Sequence, residues 1–583
     1  MKKRVLFIFG LILLVSFNSC NRGSSSTGDI TIATDTATIA RGAASFSQYC
    51  GGCHNFRQDG IGPELGGITT LTSPAWLLHF IKDPKKVIES GDERAKDLYA
   101  TYKVTMPSFP SLNDSDITGI IAYLNTHRLP GHHKSKADSN ALSNPIPDSI
   151  KLSNLVVGVE LATQIPASSD SGRLPLARIT KFDFEPQTGN SFILDLRGKL
   201  YRMENNKPVV YMDIAKLEPN FLGEYRLATG FGSFAFHPGF AKNGLLYTTH
   251  SEKPGSAKAD FGYADSIPVA IQYVLTEWKT DSPTAATFSG KGRELFRVNM
   301  VTGIHGTQEI TFNPLSKPGD KDYGLLYIGV GDGGSVEEGY PFIPHNKDHV
   351  WGTVLRIDPG GHNSANGKYG IPPGNPFANT PNTLGEIYAY GFRNPHRITW
   401  SKSGQMLVCN IGQANIESVN LIEPGHDYGW PLREGNFVLD PIGDMTKVFP
   451  LPGNDSINHF NYPVAEFDHD EGKAISGGLE YWGTAIPQLK GKFLFGDIPS
   501  GRLFYIDMAD IKQGKQAIIK EWKISINGVN KTLKDLCGSD RVDLHFGRDA
   551  HGELYLLTKA DGRVYKLMHA GPTGIAARGP VKR

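Results

Sequence analysis

The pentapeptide Cys50-Gly51-Gly52-Cys53-His54 constrains this chain more than any other feature. Two thiols at that spacing can add to both vinyl groups of one haem while the adjacent imidazole reaches the iron. The residues around it are therefore expected to carry electrons. A structural zinc would need further Cys or His ligands at short spacing, which the following stretch does not supply.

A chain of 583 residues is too long for one core and implies two or three domains, one of them large. Lys plus Arg number 60 against 59 Asp plus Glu, so no charge excess calls for nucleic acid or an anionic membrane patch. The 66 Gly and 37 Pro suit many short strands and tight turns better than long helices.

Lys2, Lys3 and Arg4 precede an apolar run from Val5 to Phe17 that is too short to span a bilayer, the pattern of an export signal over residues 1–20. The segment Phe17-Asn18-Ser19-Cys20 resembles a bacterial lipobox, which would make Cys20 the lipidated first residue of the mature protein. Simple cleavage and release is the alternative. Residues 21–38 then read as a tether. The expected location is periplasmic or outer-surface, with a lipid anchor in a bacterial membrane.

Residues 39–128 resemble a class I cytochrome c domain. Gly42, Phe46 and Tyr49 lie on a helix before the cysteines, and Ile61-Gly62-Pro63-Glu64-Leu65 resembles the family loop whose proline carbonyl orients the proximal histidine. Met106-Pro107 follows, just before a helix with Ile117, Ile120, Ile121 and Leu124 on one face and Asn113, Asp114 and Ser115 as capping candidates. The resemblance implies haem c bound through Cys50 and Cys53, with His54 and Met106 as iron ligands. His79 and His127 are the rival ligands, and a gap-filling core residue is the alternative for Met106. Residues 129–153, with Pro130, His132 and His133, read as a polar linker.

From about residue 154 to 570, short apolar runs are cut by Gly, Asp and Pro, and long helical periodicity is nearly absent. A domain of this size built from strand after strand suits a β-propeller, and about seventy residues per blade gives six blades. Residues 571–583 form a tail. The fold class is thus multidomain: a small all-α cytochrome c domain followed by an all-β six-bladed propeller.

Several ordered segments resemble the glucose/sorbosone dehydrogenase family: Phe234 to Phe240, Leu326 to Gly334, Leu355-Arg356-Ile357-Asp358-Pro359, Gly374-Asn375-Pro376-Phe377, Tyr390 to Pro395 and Asp427 to Pro431. The resemblance implies pyrroloquinoline quinone (PQQ) and calcium. It makes His305 the base, Arg393, Asn394 and Arg541 cofactor residues, and the backbone carbonyls of Gly412 and Gln413 calcium ligands. Neutral imidazole suits proton abstraction near neutral pH. Asp332 in Gly-Asp-Gly-Gly reads as a hairpin turn. The chain departs from the soluble glucose dehydrogenases at Ile304 (an acid there), Ala228 (a glutamine), Pro499 (a cofactor lysine) and His396 (a glutamine). Cys409 and Cys537 remain as a candidate pair, or Cys409 as a small buried hydrophobe.

The expected function is an exported quinohaemoprotein that oxidises an aldose or alcohol and passes electrons to its own haem, then to a downstream redox carrier. The rivals are a glycan- or partner-binding propeller carrying an electron-transfer cytochrome and, third, a metal-dependent lactonase-type hydrolase.

Overall fold

The computed structural model describes residues 31–572, apart from 52, 58, 60–61, 103, 110–111, 129–139, 170–173 and 224–228. The signal segment, Cys20, the His132-His133 pair, Ala228 and most of the tail lie outside the described residues. Among those described, no helix is long and apolar enough to cross a membrane.

The N-terminal unit is helical. Its first helix, Thr36–Tyr49, starts inside the stretch assigned to the tether, because the Asp35 carboxylate accepts from Thr38 N at 2.9 Å and caps it. That helix crosses Asp114–Leu124 at Gly42, where a Cβ would collide with the Gly119 carbonyl, so glycine sets the distance of approach. Asp114–Leu124 opens with a reciprocal capping box: Asp116 N donates to Asn113 Oδ1 at 2.9 Å and Asn113 N to Asp116 Oδ2 at 3.1 Å. Its Ile117, Ile120, Ile121 and Leu124 are buried with Phe46 in one core, as the periodicity predicts.

The second unit is built of six four-stranded blades, the fifth, sixth and first of which are joined edge to edge in one continuous sheet. The first comprises Ile179–Phe184, Ser191–Asp195, Lys199–Glu204 and Lys207–Asp213; the second Phe231–Phe236, Leu245–Glu252, Ile271–Thr280 and Gly290–Met300. The third is Glu309–Phe312, Leu326–Val330, Thr353–Ile357 and Ile387–Tyr390; the fourth Asn394–Trp400, Met406–Ile411, Ile416–Leu421 and Ala465–Asp468. The fifth is Ile475–Glu480, Lys492–Asp497, Leu503–Asp507 and Lys520–Ile526. In the sixth, Leu544–Arg548, Leu554–Thr558 and Arg563–Pro572 are completed by Lys151–Gln164, which pairs antiparallel with Arg563–Pro572. The first strands of the second to sixth blades neighbour one another in turn, the sixth returns to the first at Phe182 and Gly547, and Phe231–Phe236 meets the first blade at Ser191–Asp195. This is a six-bladed propeller closed by its N-terminal strand, an arrangement that leaves no long sheet edge free.

The closing strand begins at Lys151, and the chain just before it is already docked on the propeller: Leu142 N donates to Val448 O at 2.9 Å and Ile146 N to Asp468 Oδ2 at 3.2 Å. The end of the linker is therefore part of the folded domain. Large apolar side chains such as Phe231, Tyr247, Trp351 and Phe467 are buried between blades, each worth about 1.5–3 kcal/mol of burial. Cys409 is buried in the fourth blade and free, its thiol pushed up to about 12 by burial, and Cys537 is free on a separate helix.

Candidate functional site

Every blade runs its first strand in the same sense along the axis and its second strand back. The starts of the first strands and the ends of the second strands therefore meet at one end of the propeller. Arg178, His305, Arg393, Ala474 and Asp543 stand just before first strands, and Gly412, Pro499 and Lys559 just after second strands. All of them line one cavity of about 450 Å³. The same cavity continues into the helical unit, where His54, Met106 and apolar side chains including Trp76, Leu77 and Phe109 form its wall.

On the helical side, His54 Nδ1 donates to the Pro63 carbonyl at 2.8 Å, which leaves Nε2 as the free lone pair. Burial holds this imidazole below its ordinary pKa, in the neutral form that binds metal. A Cβ on Gly62 would collide with the His54 ring, so that loop packs against the imidazole only as glycine. Met106 faces the same space. The rival imidazoles are elsewhere: His79 is exposed, and His127 stacks on Phe56 at 3.5 Å between centroids. An apolar slot with His54 and Met106 on its wall and Cys50 and Cys53 beside it fits a covalently attached haem.

On the propeller side, His305 adopts φ of +50°, an uncommon conformation for a residue with a Cβ. Gly331 makes room for it, since a Cβ there would strike the His305 backbone. His305 Nδ1 lies 2.7 Å from Asp332 Oδ1. A carboxylate can only accept, so Nδ1 carries a proton, and in the neutral ring Nε2 is the bare nitrogen. Asp332 is fully buried and also accepts from Trp430 Nε1 at 3.1 Å and Gly334 N at 2.9 Å. Burial alone would raise its carboxyl, but the His305 imidazole and then Arg393 outweigh it and hold the group below the ordinary carboxylate range. The turn expected at Asp332 is there, and its carboxylate also accepts from His305, which the turn motif alone does not predict. The signal in the sequence is positional, an acid just after the second strand of the blade whose first strand follows His305.

Arg393 is ringed by oxygens: Nε donates to Gln413 Oε1 at 2.7 Å, Nη1 to the Gly412 carbonyl and Nη2 to Glu337. The loop behind them is braced by buried Glu434, which accepts from Gln413, Asn415 and Ile416 backbone N–H groups. These three oxygens suit a hard divalent cation, and in this arrangement the guanidinium takes them. Asn394 is buried at the same wall, its N–H held by Asn410 Oδ1 at 3.0 Å. Arg541 donates to Asp543 at 2.8 Å and lies close enough to Cys53 for the two to influence each other electrostatically, so it borders the haem-attachment segment as well as the cavity. Arg57 of the helical unit donates to Glu338 O at 3.1 Å beside it. Ile304 and Pro499 give the cavity apolar wall where the family resemblance expects an acid and a lysine. His396 and His545, missed as site residues, line the cavity floor with both ring nitrogens of each unpartnered among the described residues, their rings 5.6 Å apart. Arg178, Arg393, Arg541, Lys473 and Lys559 face Glu337 and Asp543 across this space. A donor-rich, cationic chamber of this kind fits a planar polycarboxylate such as PQQ.

Fold and site together define a haem-binding helical unit fused to a propeller with a buried His–Asp pair at its axis. The chain belongs to the Glucose / Sorbosone dehydrogenase family, whose model matches residues 178–566, and residues 39–128 match the Cytochrome c model. It is 27% identical over 382 residues to the HIPL1 protein of Arabidopsis thaliana, covering 58% of this chain and 53% of that one. It is 22% identical over 338 residues to Quinoprotein glucose dehydrogenase B of Acinetobacter calcoaceticus, covering 54% and 64%. The chain spans about half the length of the curated relatives it matches first. A solved glucose dehydrogenase superposes with TM-score 0.50 at 19% identity over 70% of this chain and 99% of its own, a likeness of fold.

Proposed function

We propose that this protein oxidises an aldose or alcohol carbon at the propeller axis and passes the two electrons one at a time through its own c-type haem to a downstream carrier. The observation that carries this reading is the single cavity shared by the His305–Asp332 pair and the His54 and Met106 wall. His305 accepts the substrate hydroxyl proton on Nε2, and Asp332 stabilises the imidazolium formed without itself taking the proton. PQQ held among Arg393, Asn394 and the cations of the chamber would supply the electrophilic carbonyl that accepts hydride, and calcium could take the oxygens of Gly412, Gln413 and Glu337 once the Arg393 guanidinium leaves them for a cofactor carboxylate. Arg541 and Cys53 line the same cavity, which joins the chamber to the haem slot. His54 and Met106 would ligate the haem iron, a pairing that gives a higher potential than two imidazoles. One chain carrying both centres replaces diffusional encounter by a fixed effective concentration. The leader pattern and Cys20 support an exported, lipid-anchored protein that hands electrons to a further redox carrier.

The test is a titration of PQQ and calcium into the haem-loaded protein, followed by a panel of sugars and alcohols read at the reduced-haem absorbance. Reduction that requires PQQ and is lost in His305→Ala supports the reading. Absence of PQQ binding refutes it in favour of a recognition propeller carrying a cytochrome.

A further inference from the structure

We propose that Lys559, with Arg178 and the imidazoles of His396 and His545, is the seat of a cofactor carboxylate in this chain, replacing the lysine that the family resemblance expects at Pro499. The inference rests on the PQQ reading above and names how this chain's own residues hold it.

Four observations converge. Lys559 is the first residue after the second strand of the sixth blade and Pro499 the second after that of the fifth, so the two stand one position apart in adjacent blades and both line one cavity. Moving a lysine from one to the other keeps an ammonium at the same end of the axis. Second, Lys559 Nζ has no hydrogen bond or ion pair among the described residues, although Asp543 is nearby; that carboxylate is engaged by Arg541. A lysine left without a partner beside Arg178, Arg397 and Arg541 is an electrostatic liability that a bound anion relieves. Third, the floor next to it is built of His396 and His545, buried to 5% and 1% exposure, with all four ring nitrogens unpartnered. Buried polar atoms without partners mark a missing ligand. Burial first, then Arg397 and Lys559, keeps both imidazoles well below their ordinary pKa, so each offers one N–H donor and one acceptor. Fourth, the charges facing Lys559 are Arg178, Arg397 and Arg541 against Asp543; with Arg541 paired to Asp543 and Arg397 to Glu309, the balance left around Nζ is cationic and favours an anion.

A consequence separates this seat from a merely cationic wall. Burial, aided by the three guanidiniums and opposed by Asp543, lowers the Lys559 ammonium to about 7. At pH 8 the empty seat therefore holds a mostly neutral amine, and a carboxylate arriving beside it draws a proton from solvent onto Nζ.

The experiment is calorimetric titration of PQQ into calcium- and haem-loaded full-length protein at pH 8, in two buffers of different ionisation enthalpy. Wild type is expected to take up close to one proton per PQQ. Lys559→Met should abolish the uptake and weaken binding roughly tenfold to a hundredfold, the worth of a charge-assisted hydrogen bond. Lys559→Arg, permanently charged, should bind PQQ without uptake and also controls for folding, with the haem spectrum as a second check. PQQ binding whose affinity and proton uptake are unchanged in Lys559→Met overturns the seat and leaves the PQQ reading standing. Citrate serves as a tricarboxylate probe without a quinone: Lys559-dependent proton uptake with citrate but no binding of PQQ supports the seat while refuting the PQQ reading. Uptake with neither ligand overturns the seat.

Discussion

Asp332→Asn is the sharpest perturbation of the axial pair, because the side chain keeps its volume in a fully buried site while losing its charge. The carboxylate lies 2.7 Å from His305 Nδ1. Unit charges about 4 Å apart attract by about 4 kcal/mol at an effective dielectric near 20, a stabilisation felt by the imidazolium and not by the neutral ring. Losing it costs about a thousandfold in the proton-transfer step, at 1.36 kcal/mol per decade. The asparagine amide can also present N–H to Nδ1 and favour the wrong tautomer, which adds to the loss. The assay is stopped-flow reduction of the haem by saturating sugar, with PQQ affinity measured in parallel. The expected result is a rate down by about 10²–10⁴-fold at near-unchanged PQQ affinity. A variant within tenfold of wild type would refute the assignment of Asp332 as the group that orients and charges His305.

Gly62→Ala should disturb the proximal ligand, since the new Cβ meets the His54 ring; the check is loss of the low-spin haem spectrum or of holo-protein yield. Met106→His should keep a six-coordinate haem but lower its midpoint potential by on the order of 0.1–0.3 V, read by redox titration. Stability should depend on pH through Glu466, whose carboxyl burial raises to about 7 against the opposing hydrogen bonds of Asn436. Because the folded value lies above the unfolded one, its stabilisation is present below about pH 4.5 and lost as pH rises toward 7, on the order of 1–3 kcal/mol. Wild type should thus lose more thermal stability than Glu466→Gln between pH 5 and 8, and parallel curves for the two would contradict it.

Much of the architecture is legible because it rests on local rules. The haem pentapeptide, the 3.6-residue spacing of Ile117, Ile120, Ile121 and Leu124, and the capping residue Asn113 all act over one or two helical turns. Six blades follow from domain size and strand density, and the closure by Lys151–Gln164 does not, because it pairs strands separated by some four hundred residues. The site divides the same way. His305, Arg393 and Asn394 stand in recognisable segments, and they do line the cavity. Asp332, Glu337, His396, His545 and Lys559 were read as turn, replacement or nothing, because their meaning comes from the ring of first and second strand ends that gathers them. Backbone carbonyls such as that of Gly412 leave no side-chain trace at all, and here a glycine is enforced by the Ile416 carbonyl rather than by any ligand.

The central claim is that substrate oxidation and haem reduction occur within one molecule, across one cavity. Its most direct test is the rate of haem reduction after mixing sugar with the PQQ- and calcium-loaded protein at concentrations spanning two decades. The account predicts a first-order rate that does not change with protein concentration and vanishes in His305→Ala. A rate that scales with protein concentration would place the acceptor on another molecule and contradict it.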